Sequence, residues 1–498
     1  VTYPKPEQLL TVRDSNFIFG SVGTGDAALR INGIAVPVWP NGAFMGWLPV
    51  PPDSAPRYEL LAGNATATAR LTLPVRIPPV RDPTPRAELP GDTLNPPPPP
   101  DTLVPVPGSV YVTLGNPAPV VNDTDRVTIA MPEPRESGQV YKWFLFPGTR
   151  VKVTGYRKLG NAEFVRIDLD SAQEAWVQRS ELARDSAAAL PGMFLGDSLP
   201  PLRSVGTVRM EPTAESIDIV IPMTGPPPPY LVEQGDRTIS LLLYGVTGAP
   251  VISMMPQPAD AYVNSLNSTP ESARIRYTIN LRSAPYGYLA LWQNGTLTFR
   301  VRRPPRIVDT NSPLRGLTIA VDPGHPPAGA TGPTALYEGD AVLAVGLKLR
   351  DLLAARGVNV VMTRTTPEPV ELGLRPIIGR RANAHAFVSI HLDALPDGQN
   401  PFTNNGTWTL YFWPHSAPLA RATQSGLLSE MGLADKGIDD RNLAVVRGMW
   451  MPSVLTEGAY IMMPDQEAAL RTPSYQEAYA RGILKGLETY FASLARTQ

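Results

Sequence analysis

Proline decides first what this chain can fold into. There are 57 prolines in 498 residues, unevenly spread. The stretch PVRIPPVRDPTPRAELPGDTLNPPPPPDTLVPVPGS, Pro74 to Ser109, cannot form helix or interior strand, because each proline fixes φ and removes a backbone donor. It reads as a stiff, polyproline-like linker over residues 81–107. A chain of this length, interrupted in this way, holds several domains and not one core.

Before the linker, residues 1–80 carry short β-type runs (FIFGSV, ALRING, AFMGWLPV) parted by Gly, Asn and Pro, the pattern of a small Ig-like sandwich. After it, GTRVKVTGYRKLGNAEFVRIDLDSAQEAWVQRSEL alternates: Val165, Ile167 and Leu169 fall on one side, Arg166, Asp168 and Asp170 on the other. A period of two marks half-buried strands, giving a second β module over 108–190. A third, over 205–305, repeats the alternation, with Ile275, Tyr277, Ile279 and Leu281 opposing Arg274, Arg276, Thr278, Asn280 and Arg282. The apolar stretch TISLLLYGVTGAPVISMMPQPA, Thr238 to Ala259, is too broken by Gly, Pro and polar residues to span a membrane. No signal peptide is visible at Val1.

Near Arg315 the pattern changes. LTIAV is continuously apolar, and AVLAVGLKLRDLLAARG then sets Val342, Val345, Leu349, Leu352 and Leu353 on one helical face, with Gly357 as its stop. The runs VNVVMT, AFVSIH, TWTLYF, LAVV and SVLTE follow, interleaved with helical stretches over 372–384, 417–431 and 475–495. Strands alternating with helices predict an α/β domain with a largely parallel sheet over 316–498. The fold class expected is therefore multidomain: three N-terminal all-β modules followed by a C-terminal α/β domain.

In such sheets, ligand groups gather beyond the carboxyl ends of the strands. His325 lies just past LTIAV, His391 ends AFVSIH and Glu457 ends SVLTE, while Glu338 precedes the helix that returns from the same edge. The chain has no cysteine and four histidines, so any metal must be held by His, Asp or Glu. Two imidazoles and one carboxylate are what catalytic zinc uses, and a further carboxylate would be left as base. Each residue alone also has a plain structural role: a turn histidine, a strand-end histidine, a charge at a helix N-terminus, an edge carboxylate. Pattern alone leaves both readings open.

The motifs IAVDPGH, YEGD before a helix, VVMTRTTPEPVELGLRPIIGRRANAHAFVSIHLDA and MPSVLTEGAYIMMPDQEAAL, in this order over about 316–492, resemble the zinc-dependent N-acetylmuramoyl-L-alanine amidases of the cell-wall amidase-3 family. The resemblance implies one zinc per chain on His325, Glu338 and His391. It makes Glu457 the acid/base for hydrolysis of the amide between N-acetylmuramic acid and L-alanine in peptidoglycan. Pro326-Pro327 replaces the usual glycine pair after the first histidine, and SIHLDA the commoner SIHANA. The 108–190 stretch is similar to bacterial SH3-like barrels, and 205–305 to the AMIN-type modules found ahead of such amidases.

Among other residues, His415 and Arg447 are candidates for touching substrate. His385 is expected to sit at a helix end, Arg364 and Arg375 to fix sheet edge and helix, and Trp143 and Trp176 to fill a barrel core. With Lys plus Arg at 44 against Asp plus Glu at 45, no field draws the chain to nucleic acid. The partners expected are peptidoglycan and, through the β modules, envelope or division proteins, in the periplasm or outside a bacterial cell. A non-catalytic wall-binding protein on the same scaffold and a zinc peptidase acting within the stem peptide are the rival readings. A polypeptide starting near Arg306 is expected to fold and act alone.

Overall fold

The computed structural model of the chain describes residues 1–79, 104–113, 127–134, 142–159, 162–184 and 203–496. They gather into two compact units. One holds the described residues of Val1–Ala87, Arg306–Arg447 and Pro452–Gln498, the other those of Glu88–Pro305 and Gly448–Met451. Of the expected linker, all but residues 104–107 lies outside the described residues, and those four open the strand Val104–Thr113. Proline is tolerated there because the second pairing partner, Leu182–Arg184, meets only Tyr111–Thr113, leaving the proline end of the strand at an edge.

In the second unit the alternating stretches become strands. Val165, Ile167 and Leu169 are buried, as are Ile275, Tyr277, Ile279 and Leu281. Asp170, expected on the wet face, is buried too, because Arg274 reaches it at 2.8 Å. Trp143 and Trp176 are buried within apolar clusters. A seven-stranded sheet joins Trp143–Leu145 to Pro229–Gln234 through the pair Phe144 and Tyr230. One core containing Trp143, Val165, Leu231 and Leu242 crosses the expected boundary between 190 and 205. Strand pairing thus does not divide the β-rich region into three modules.

In the first unit, Ser15–Ser21 pairs with Ala43–Pro49, and a five-stranded sheet of Gln8–Leu9, Thr68–Arg76, Arg57–Gly63, Ala28–Ile31 and Ile34–Val36 accompanies them. Leu10, Ile18, Ile31, Phe44 and Tyr58 form a core here. Successive side chains of a strand point to opposite faces. Ile18 therefore enters that core while Phe17 and Phe19, with Met45, enter another made with Tyr460, Met462 and Met463 of the α/β domain. Polar contacts fix the same junction. Asp397 accepts from the Thr11 amide at 2.8 Å, from Asn16 Nδ2 at 2.9 Å and from the Tyr3 hydroxyl. Residues 1–79 and the α/β domain are one packed body.

The α/β domain runs β1 (Thr318–Pro323), α1 (Glu338–Ala355), β2 (Asn359–Met362), α2 (Leu374–Arg381), β3 (Ala386–Asp393), β4 (Thr407–Tyr411), α3 (Ala417–Met431), β5 (Asp435–Asp440), α4 (Ala444–Arg447), β6 (Ser453–Tyr460), α5 (Pro464–Leu470) and α6 (Pro473–Ala495). Its sheet order is β2-β1-β3-β6-β4-β5. The sheet is mixed where a largely parallel one is expected: β4 runs antiparallel to β6, while the other neighbours are parallel. No helix intervenes between β3 and β4, so the chain lacks the crossover that would restore a parallel direction. On α1, Val342, Val345, Leu349 and Leu353 are buried and Leu352 half-buried. No described helix is long and apolar enough to cross a membrane.

Candidate metal centre

The centre lies where β1, β3 and β6 end. His325 follows β1, His391 lies in β3 and Glu457 is its direct neighbour in β6. Glu338 is the first residue of α1 and is 3% exposed. His325 Nε2 stands 3.1 Å and His391 Nδ1 3.2 Å from the same Glu338 oxygen, Oε1. The two imidazole rings meet edge-on, centroids 4.8 Å apart. Gly324 makes this possible, since a Cβ there would lie 2.3 Å from the His391 ring.

The backbone around the ligands is held from several directions. His325 takes a left-handed φ of 51°, a conformation that costs energy outside glycine unless neighbours impose it. Arg375, 3% exposed and paired with the buried Asp322 at 2.8 Å, donates to the carbonyls of Pro323, His325 and Pro326. Arg364 donates to those of Pro323, Gly324 and Gly339. Glu467, fully buried in α5, accepts the amides of Thr334 and Leu336, which steadies the loop between His325 and Glu338. Tyr479 of α6 donates to the His391 carbonyl at 3.0 Å. The sequence places these residues near sheet and helix. It does not show that they clamp the metal loop, because each contact spans tens of residues in the chain.

Electrostatics favour a cation here. Burial raises the Glu338 carboxyl, but hydrogen bonds and charge from His325 and His391 outweigh it and hold it well below the ordinary range. Burial lowers His325, and Glu338 reverses that into a net rise. Glu457 is different. Burial, with the charges of Asp393 and Glu338 nearby, pushes its carboxyl well above the ordinary value, and its Oε2 is buried without a hydrogen-bond partner. Asp393 is also raised, by burial first, against the hydrogen bond from Tyr460. Asp393 is a charged neighbour of Glu457 that sequence reasoning passes over, although the departure SIHLDA marks it.

The donor set fits zinc. One donor atom from each of His325, Glu338 and His391 lies within 4.8 Å of the others, and the 3.1 and 3.2 Å separations approach the ~3.3 Å edge of a tetrahedron with ligand bonds of about 2.0 Å. His325 Nδ1 lies 3.1 Å from the Pro327 carbonyl, the kind of partner that fixes the tautomer of a ligating imidazole.

The other candidates sit elsewhere. His415 is 2% and Arg447 5% exposed. Arg447 reaches the side chain of Asn442, and its carbonyl accepts the Trp413 indole. His385 accepts the Thr318 amide on Nδ1 at 2.9 Å, tying the starts of β1 and β3 together.

Residues 319–489 match the family model described as N-acetylmuramoyl-L-alanine amidase, Amidase_3. Over those residues the α/β domain is similar to the amidase-3 family. A probable cell wall amidase LytH of Staphylococcus epidermidis is 32% identical over 188 residues, covering 37% of this chain and 62% of that protein. Its Staphylococcus aureus counterpart is 32% identical over 188 residues, covering 36% and 61%. The chain thus spans less than two thirds of these relatives. An N-acetylmuramoyl-L-alanine amidase structure from Clostridium difficile 630 is 31% identical, covering 35% of this chain and 96% of that one at a TM-score of 0.33. That of AmiC2 from Nostoc punctiforme is 34% identical, covering 34% and 97% at 0.32.

Proposed function

We propose that this protein hydrolyses the amide joining N-acetylmuramic acid to L-alanine of the peptidoglycan stem peptide, with one zinc per chain on His325, Glu338 and His391. The observation that carries the reading is the meeting of two imidazoles and a buried carboxylate beside Glu457, whose Oε2 is buried without a hydrogen-bond partner, in a domain that matches this family's model. Zinc bound there would polarise the scissile carbonyl and make water a stronger acid, toward a pKa of about 7. Glu457 takes a proton from the attacking water and returns it to the departing L-alanine amine. Arg375 and Arg364 hold the loop so that His325 keeps its place as charge shifts.

The β-rich unit, with its SH3-like and AMIN-like stretches, is read as the part that holds the protein to the wall or to an envelope protein. The place of action would be a bacterial periplasm or cell exterior. Digestion of purified wall with and without a chelator tests the reaction. Intact glycan and stem peptide with a free L-alanine amine, lost on chelation, is the expected result. New termini within the stem peptide would instead make the protein a peptidase, and no soluble product at all would leave a binding protein on this scaffold.

A further inference from the structure

Beside the metal centre is a cavity of about 320 Å³ whose two walls come from opposite ends of the unit's sequence. Phe17, Phe19 and Lys5 of the N-terminal module face Ala330, Ala394 and Met462 of the α/β domain across it. The α/β wall is continuous with the site. The Ala330 amide donates to Glu338 Oε2 at 2.9 Å, Ala394 follows Asp393, and Met462 comes two residues after the end of β6, which carries Glu457. The N-terminal wall is locked in place by Asp397 and by the Thr2 hydroxyl on the Pro333 carbonyl at 3.1 Å. The floor, Phe17, Phe19 and Met462, is buried, whereas Lys5, Thr331 and Ala394 are exposed at the rim.

We infer that this cavity is the subsite for the peptide side of the cleaved bond, taking an alkyl side chain onto Phe19 and Met462 and a neighbouring carboxylate at Lys5. The inference rests on the amidase reading above. Two features choose peptide over glycan. A sugar ring needs an exposed aromatic face or several side chains that bond its hydroxyls; here Phe17 and Phe19 are buried, Tyr3 is half-buried with its hydroxyl held by Asp397, and no Asn, Gln, Asp or Glu lines the cavity. The lining carries one cation and no carboxylate, which suits an anionic ligand of small apolar bulk. The N-terminal module then selects substrate, and is more than a tether.

The test uses the full chain and two product-like probes: L-alanyl-D-glutamate and its α-amide, L-alanyl-D-isoglutamine, each titrated by calorimetry. The parent should bind the acid more tightly than the amide. Lys5→Glu, at an exposed position, should weaken the acid by about three- to tenfold and the amide, which keeps only the γ-carboxylate, by less. Thr331→Trp, which fills the mouth, should weaken both. In wall digestion, Lys5→Glu should raise KM and leave kcat alone. Equal binding of the two probes by the parent, or unchanged affinity in both variants, overturns the subsite. Lys5-dependent peptide binding together with a wall digest that frees no L-alanine amine would instead uphold the subsite and overturn the reaction.

Discussion

Glu457 carries the sharpest residue-level consequences. Replaced by Gln it keeps its shape but cannot accept a proton, so Glu457→Gln should keep its zinc and lose about a hundredfold or more in rate, checked by metal analysis beside release of L-alanine amine. The same substitution has a signature in metal-free protein. Because burial and the charges of Asp393 and Glu338 raise the folded-state affinity of Glu457 for a proton, its contribution to stability is fully present below the unfolded carboxylate value. It is lost as pH rises through the higher folded one. The metal-free parent should therefore melt at falling temperature across that window, and Glu457→Gln should flatten the slope. An unchanged slope would place the titration on another group. His325, Glu338, His391 and Glu457 were legible from sequence because all four lie at strand ends or a helix start. The crowding of Asp393 against Glu457 was not, since only the folded strands create it.

At the scale of elements, the period of two found the strands and the longer period found α1. What it could not find was which strands share a sheet. Trp143–Leu145 pairs with Pro229–Gln234 across a long stretch of chain, and alternation says nothing about partners. The mixed sheet was hidden likewise, because β4 reads as an apolar run in either direction. The loop carrying His325 has its own test. Arg375 serves the carbonyls of Pro323, His325 and Pro326 while neutralising the fully buried Asp322. Lysine keeps the charge but not the planar fork that serves several acceptors. Arg375→Lys should weaken zinc affinity by roughly ten- to a hundredfold, read by competition with a chelator. Arg375→Met should also destabilise the fold by about 3–5 kcal/mol, as loss of one partner of a buried pair does. Zinc affinity equal to the parent's in both variants would mean the loop holds itself.

For the whole molecule, the sequence suggested an enzyme that could be cut free near Arg306, because the proline linker separates residues 1–80 from everything after them. The structure closes that gap through space. Phe17 and Phe19 open the run FIFGSV, in which Phe17, Ile18 and Phe19 are apolar in succession, and a strand apolar on both faces is one that must be covered twice. The second cover is Tyr460, Met462 and Met463. Removing residues 1–79 would expose those side chains at roughly 1.5–3 kcal/mol each and strip Asp397 of its partners, against a total stability of about 5–15 kcal/mol for a typical domain. A polypeptide beginning at Arg306 should therefore melt well below the full chain, bind a hydrophobic dye and self-associate. Asp397→Ala in the full chain should lower the melting temperature far less, because the apolar junction stays covered. Should the shortened chain stay monomeric and melt within a few degrees of the parent, the shared core contributes little, and the first 79 residues serve the substrate alone.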